Sequence, residues 1–514
     1  SFMLVKVKSI ATRGIQSLAV DVEVNVSSRG IPCLEIIGLA DKSVDESKGR
    51  VRTAFQNSGL DFPNKKITVN LAPADISKEG SLYDLPIATG LLCATLGLDV
   101  PEESLFFGEL SFDGTLRHTK GAFLLSIYAK ENGFKRVFVP TSCANEASSI
   151  EGVSVIGIDN LNYLVDCLRG GENFIDRVCI KNTPTPQTDE VKLREDFDFS
   201  NIIDQFQAKR ALEICAAGGH NLIMVGPPGS GKTMLAKSLV SLLPYLSFEE
   251  AVEVTKIYSL VGKIPPNCGL VKERPFRSPH HTTSYAGMIG GGSIPFPGEI
   301  TLAHRGVLFM DEFNEFPRIV VESLRQPMES GVVTVSRSKI SVDFPSRFIL
   351  IASSNPCPCG FYGDPKKECR CNENRIKNYQ AKLSGPILDR IDLHVNVLPV
   401  ERNRLLKGDA SVGESSKSVR DRVLRAREIQ ENRFKKDRVF SNSEMSNKHI
   451  GKYCRMNDDC ETLLLQAVEK FGLSTRAYFK LIKISRTIAD LEGKDNIEIS
   501  HIAEAVQYRS KIFL

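Results

Sequence analysis

The chain has 514 residues, 42% hydrophobic and 25% charged, globular proportions that exclude wholesale disorder and suggest about three or four domains. Lys+Arg 66 against Asp+Glu 62 leaves a net charge of only +4. The protein is therefore no polycation, and any grip on nucleic acid has to come from a local stripe or a ring of copies. The longest apolar run, Leu85 to Leu98, is too short for a membrane helix. Ser1 and Phe2 ahead of Met3 look like a cloning scar, and no secretory leader is recognisable behind them. The 13 cysteines are mostly scattered singly, which fits a reducing, cytoplasmic setting better than a disulfide framework.

Residues 3–180 mix strands and helices. Ala19–Val26 and Lys66–Leu71 alternate apolar and polar residues, as half-buried strands do. Asp41–Asn57 has apolar positions at helical spacing, and Leu85–Leu96 reads as a buried helix. Pro and Thr then alternate from Lys181, marking a linker over 181–192. Residues 193–400 alternate strands with helices, the pattern of an α/β fold with a parallel sheet. Gly408–Ser418 reads as a polar connection, and the rest of 401–514 as helical: Val419–Phe434, Cys460–Phe471, Thr475–Leu491 and His501–Tyr508. Residues 401–440 hold 12 Lys/Arg against 7 Asp/Glu, a basic patch or simply a solvated helix face.

The segment Gly226, Pro227, Pro228, Gly229, Ser230, Gly231, Lys232, Thr233 matches the phosphate-loop pattern GxxxxGK[ST]. It follows the apolar strand Asn221–Val225 and opens a helix, Met234–Leu243, the context that gives the pattern meaning. Small residues let backbone N–H groups wrap phosphates, and the helix N-terminus adds positive potential. Lys232 then reaches the β/γ-phosphates of ATP, and the Thr233 hydroxyl ligates Mg²⁺. Further on, Gly306–Met310 is an apolar strand ending in Asp311 and Glu312. It delivers two acids to the sheet edge where ligands bind, Asp311 for the Mg²⁺ water shell and Glu312 to polarise the attacking water. A third strand, Arg347–Asn355, ends in Asn355, which either hydrogen-bonds the γ-phosphate or lytic water or merely turns the chain before Pro356. Arg390 and Arg476 are two isolated cations. Arg476 stands in the first turn of a helix, where the dipole disfavours a cation, so its placement hints at an anionic partner.

Cys357, Cys359, Cys369 and Cys371 fall within a short Pro/Gly-containing stretch, in a knuckle spanning 355–373. Four thiolates can close a tetrahedral structural Zn²⁺ site. Free thiols are the other reading, and disulfides a third that a reducing compartment disfavours. Val332–Val342 reads as a β-hairpin with Arg337 and Lys339 at its turn.

These motifs stand in the order found in an AAA+ ATPase with a helical lid. Pro275–Gly292, continuing in Pro297–Gly306, looks like the magnesium-chelatase branch, and with Gly38–Asp41 and Asn70–Pro73 the whole chain resembles the ComM/YifB family. The resemblance implies an α/β AAA+ P-loop core at 193–400 with a helical C-terminal lid at 401–514. Before them it implies an α+β Lon-protease-like (ribosomal S5 domain 2-like) domain. It further implies a homohexamer with ATP sites between subunits. Lys232, Thr233, Asp311, Glu312 and Asn355 would come from one protomer and an arginine finger, Arg390, from its neighbour. Arg476 matches the lid's sensor-2 position, and Ile202 and Ile203 the adenine contacts. An insert at Ser284–Pro297 and the hairpin with Arg337 and Lys339 would face a central channel, giving six-fold positive charge that tracks phosphates without reading sequence. His280 and His281 could touch DNA or nucleotide, or be structural.

Aligned with the protease, the nucleophilic serine falls at Leu82 and its lysine near Phe123, neither able to do acyl transfer. Ser81 and Lys120 lie close by. The family's activity carries over as ATP-driven translocation or unwinding of single-stranded or branched DNA, promoting branch migration of incoming DNA in natural transformation, with recombination proteins as partners. The alternatives are a chelatase-like protein-remodelling motor and, further off, an ATP-dependent protease.

Overall fold

The computed structural model describes residues 2–38, 40–180, 197–265, 268–292, 294–337, 340–383, 385–400 and 413–509. They divide into two compact units, 1–188 with 248–271, and 189–247 with 272–514. The linker read at 181–192 lies outside the described residues.

The first unit is built on a seven-stranded mixed sheet in the order Cys33–Ile37, Lys66–Ala72, Gln16–Ser27, Phe2–Arg13, Ser104–Phe106, Arg136–Pro140, Ser154–Ile158. The alternation read in Ala19–Val26 extends over Gln16–Ser27, with Val20, Val22, Val24 and Val26 all turned into the core. The helix Asp84–Leu96 lies against this face, its first ten residues all buried. The single helix expected over Asp41–Asn57 is two, Lys42–Asp45 and Ser47–Asn57. Between them the Gly49 N–H bonds the Glu46 carbonyl at 3.0 Å, a tighter turn than the α-helical ladder.

Residues 248–271, which follow the phosphate-loop helix in sequence, cluster with this first unit. Their helix Phe248–Val261 places the Ser259 hydroxyl 2.5 Å from Glu146 Oε1. Val252, Ile264 and Leu270 cover Phe123, Ile127 and Ile150. Phe123 is thus a core residue. The Ser81 hydroxyl donates to Glu109, and the Lys120 stem lies along Gly262. No Ser81–Lys120 hydrogen bond forms among the described residues.

The second unit carries a five-stranded, wholly parallel sheet in the order Phe276–Arg277, Val307–Met310, Ile349–Ser354, Leu222–Val225, Leu393–Asn396. Its three central strands are buried along their whole length, as strands covered on both faces must be. The sheet's first strand in chain order, Leu222–Val225, sits between its last two, Ile349–Ser354 and Leu393–Asn396. The winding direction reverses there, and the crevice at its C-terminal end is where such sheets take ligands.

The helices Phe206–Gly218, Lys232–Leu242, Ser416–Phe434 and Thr475–Leu491 share one core with this sheet, through residues such as Leu212, Leu239, Val423 and Ile484. The C-terminal helices follow their expected positions closely: Asp458–Phe471, Thr475–Leu491 and Ile499–Gln507. The polar connection expected to run to Ser418 stops earlier. Ser415 is an N-cap, accepting from the Ser418 N–H, and the helix starts at Ser416, while residues 401–412 lie outside the described residues. The basic face of this helix is largely occupied by its own chain. Arg422 pairs with Glu213 and Glu414, Arg433 with Asp490, and Arg420 and Arg427 bond backbone carbonyls.

Candidate functional site

The phosphate-loop segment turns between the strand Leu222–Val225 and the helix Lys232–Leu242. Gly231 takes φ +91°, a left-handed backbone that lets the loop swing into the first helical turn. Lys232 is buried, and its ammonium donates to the carbonyls of Gly226 at 2.7 Å and Pro227 at 2.9 Å, with Asn355 Oδ1 at 3.4 Å. Burial pushes this lysine down to about 8, against the opposing pull of Asp311 and Glu312. The Ser230 hydroxyl in the same loop is buried with no hydrogen-bond partner among the described residues. A concentrated cation and an orphaned donor at a helix N-terminus fit a polyphosphate.

Asp311 follows the strand Val307–Met310. Its Oδ2 lies 3.3 Å from the Thr233 hydroxyl, and its Oδ1 accepts from Ser353 and from the Glu312 N–H. An acid at a strand's end and a hydroxyl from the first turn of the helix Lys232–Leu242 are a fitting pair for a hydrated Mg²⁺. Ser353 comes from the strand Ile349–Ser354. It is a site residue that the sequence does not single out, because a strand-end serine has no distinguishing pattern.

Glu312 is exposed and takes φ +52°, uncommon for a residue with a side chain and often met at functional positions. Its Oε2 lies 3.3 Å from Nδ1 of His281, whose ring is tilted against His280 and meets Phe316 edge-on. His281 thus faces the acid that follows the strand Val307–Met310. Ile202 is buried in the core beside Phe199, while Ile203 is half-buried.

Arg390 and Arg476 come together on one carboxylate. Both guanidiniums bond Glu329 Oε1, Arg476 at 2.9 Å. Arg476 lies in the first turn of Thr475–Leu491, capped by Ser474. Among the described residues neither arginine bonds the phosphate loop. Glu329, in the helix Arg325–Ser330, left no signal in the sequence.

The hairpin forms from Val332–Arg337 and Ile340–Pro345, with Arg337 opposite Ile340. Lys339 lies outside the described residues. The exposed Arg337 reaches the insert, since a methyl group added at Gly291 would be 2.7 Å from its Nη2. The insert itself is a short helix, Tyr285–Ile289, and a small ribbon pairing Gly290–Gly291 with Phe296–Pro297.

The four cysteines of the knuckle converge. Cys357 Sγ lies 3.3 Å from Cys359 Sγ and 3.7 Å from Cys369 Sγ, and all four sulfurs fall within 4.8 Å of one another. Thiolates at Zn–S bond length on a tetrahedron stand about 3.8 Å apart, so the set fits one zinc ion.

Three family models match the chain: "Subunit ChlI of Mg-chelatase" over residues 22–143, "Magnesium chelatase, subunit ChlI" over 198–405, and "Magnesium chelatase, subunit ChlI C-terminal" over 413–509. Similarity to the competence protein ComM of Haemophilus influenzae runs to 42% identity, covering 99% of this chain and 98% of that protein. The YifB protein of Salmonella typhimurium is also 42% identical, over 97% of this chain and 96% of its own. The magnesium-chelatase 38 kDa subunit of Rhodobacter capsulatus is 30% identical over 33% of this chain and 53% of that protein. No helix among the described residues is long and apolar enough to cross a membrane. A parallel sheet with its phosphate loop at the switch point, an acid-ended neighbouring strand and end-to-end identity with both ComM and YifB lead to one assignment: this chain belongs to the ComM/YifB family of magnesium-chelatase-type AAA+ proteins.

Proposed function

We propose that the protein is a cytoplasmic, ATP-hydrolysing hexameric motor that moves along or unwinds single-stranded or branched DNA and promotes branch migration of incoming DNA; the name of its relative, the competence protein ComM, supports a part in competence. Lys232, Ser230 and the loop N–H groups bind the phosphates, and Thr233 and Asp311 hold Mg²⁺. When bound, that ion would neutralise charge developing on the phosphates. Ser353 orients Asp311, Glu312 polarises water, and Asn355 monitors the γ-phosphate from its place beside the Lys232 ammonium.

One observation carries the reading. The loop, the acids and Asn355 assemble together, while Arg390 and Arg476 gather apart from them on Glu329. Such a protomer supports a composite site, in which the two arginines serve a neighbour's nucleotide across a seam of the ring. Arg337 against Gly291 joins the hairpin to the insert, and that pairing supports a shared DNA-facing surface repeated around a channel. The Cys357, Cys359, Cys369 and Cys371 set is read as a structural Zn²⁺ site.

The match of all three family models to chelatase subunits favours a second reading, a motor that remodels a protein partner. Proteolysis is disfavoured by the burial of Phe123 and the engagement of Ser81 with Glu109.

Hydrolysis measured with and without forked DNA separates the readings, together with strand displacement by wild type and by Glu312→Gln. The motor reading expects DNA to stimulate hydrolysis, and Glu312→Gln to keep nucleotide while losing unwinding. Hydrolysis indifferent to DNA, with Arg337→Ala binding DNA as wild type does, would reject it.

A further inference from the structure

We propose that the four-cysteine knuckle is the brace of the phosphate loop, so that its metal governs nucleotide binding by the ATPase site. The inference rests on the zinc reading of the cluster and extends it. Only Pro356 separates the first sulfur ligand from Asn355, and proline fixes its own φ, so holding the ligand limits where Asn355 can go. Cys357 is fully buried, and its sulfur accepts from the Tyr362 N–H at 3.3 Å. On the other side Gly360, at φ +87°, lies on the loop itself. A methyl group there would come 2.5 Å from Pro228 Cδ, so the knuckle backbone and the loop proline are in direct contact.

The far end of the knuckle is tied back to the same place. Asn372, next to the last ligand, caps the helix Glu373–Ala381, whose Gln380 donates to the Pro356 carbonyl at 3.1 Å. Beside that contact lies a cavity of about 90 Å³, walled by Gly226 and Pro227 of the loop and by Pro356, Tyr362 and Gly363 of the knuckle.

Between Asn355 and Asn372 the chain forms neither helix nor strand. It has little of its own to oppose the entropy of an open loop. A tetrahedral ion joining the four sulfurs supplies that closure, because in such sites metal binding is local folding. Without it the wall beside Pro228 and the anchor of Asn355 slacken together, and Lys232 loses its amide partner.

The test uses the full chain. Zinc per chain is measured by thiol-reagent release with a colorimetric indicator, and affinity for a fluorescent ATP analogue by titration. Both are compared among wild type, Cys369→Ser/Cys371→Ser and Gly360→Val. We expect one zinc in wild type, none in the double variant, and at least a ten-fold loss of nucleotide affinity with far-ultraviolet circular dichroism retained. Gly360→Val keeps all four ligands and should keep its zinc, yet lose affinity through Pro228; it decides the matter if the double variant misfolds. Wild type without metal would overturn the zinc reading. Zinc in wild type, with unchanged nucleotide affinity in the zinc-free double variant or in Gly360→Val, would overturn the brace while leaving the zinc reading intact.

Discussion

His281 Nδ1 lies 3.3 Å from Glu312 Oε2, and it does so three residues before Ser284, the start of the insert. The proposed catalytic acid is therefore held by a segment that continues directly into a surface proposed to meet DNA. His281→Ala should release Glu312 and uncouple the two. DNA stimulation of hydrolysis is expected to fall to about one-fold, with nucleotide affinity unchanged. Steady-state ATPase assays with and without forked DNA check this. Stimulation equal to wild type would leave the histidine without a coupling role.

Arg390 and Arg476 share Glu329 Oε1, and a protomer's two arginines are proposed to serve its neighbour. Arg390→Ala should reduce hydrolysis by about 10³-fold, the scale of an arginine finger. Mixing it with Lys232→Ala should restore about a quarter of wild-type activity, because one seam in four then pairs an intact loop with an intact finger. An inactive mixture that still exchanges subunits would place Arg390 in its own protomer's site.

Lys232 is depressed to about 8 by burial. A bound polyphosphate restores its charge, so nucleotide binding should take up a proton above about pH 8 and none near pH 7. Calorimetry in buffers of different ionisation enthalpy reads this directly, and Lys232→Arg should abolish the uptake. The sign for folding follows from the same shift. The unfolded chain holds the proton to higher pH than the folded one. This lysine's contribution to stability therefore rises as pH climbs from about 8 toward the ordinary lysine value.

Asp392 is buried, with Lys480 of the helix Thr475–Leu491 on one oxygen and His220 Nδ1 at 3.1 Å on the other. Lys480 and His220 hold its carboxyl well below the usual carboxylate range, despite burial that opposes ionisation. Lys480→Ala strands that charge and should cost about 3–5 kcal/mol in chemical denaturation. Adding Asp392→Asn should recover much of the loss. The pair's stabilisation is present above the unfolded carboxylate value of about 3.9 and fades as pH falls below it. Equal stabilities for Lys480→Ala and wild type would show that the carboxylate is screened by other means.

The phosphate loop, the acid-ended strand and the cysteine knuckle were legible because their chemistry demands consecutive residues. Gly226 to Thr233 must wrap one phosphate chain, and Asp311 must end one apolar strand. The C-terminal helices were legible for a related reason, since a 3.6-residue period and a capping Ser474 are local features. What depends on partners distant in sequence was not legible. Ser353 meets Asp311 only because two strands are neighbours in the sheet, and Glu329 becomes the common partner of Arg390 and Arg476 only after helix and lid have folded. Residues 248–271 follow the phosphate-loop helix in the chain yet bury Val252, Ile264 and Leu270 on Phe123. The sequence by itself determined which atoms can do chemistry, through local pattern and backbone preference. Only the tertiary structure decided which of them meet, because packing and ion pairing reward proximity in space, whatever the separation along the chain.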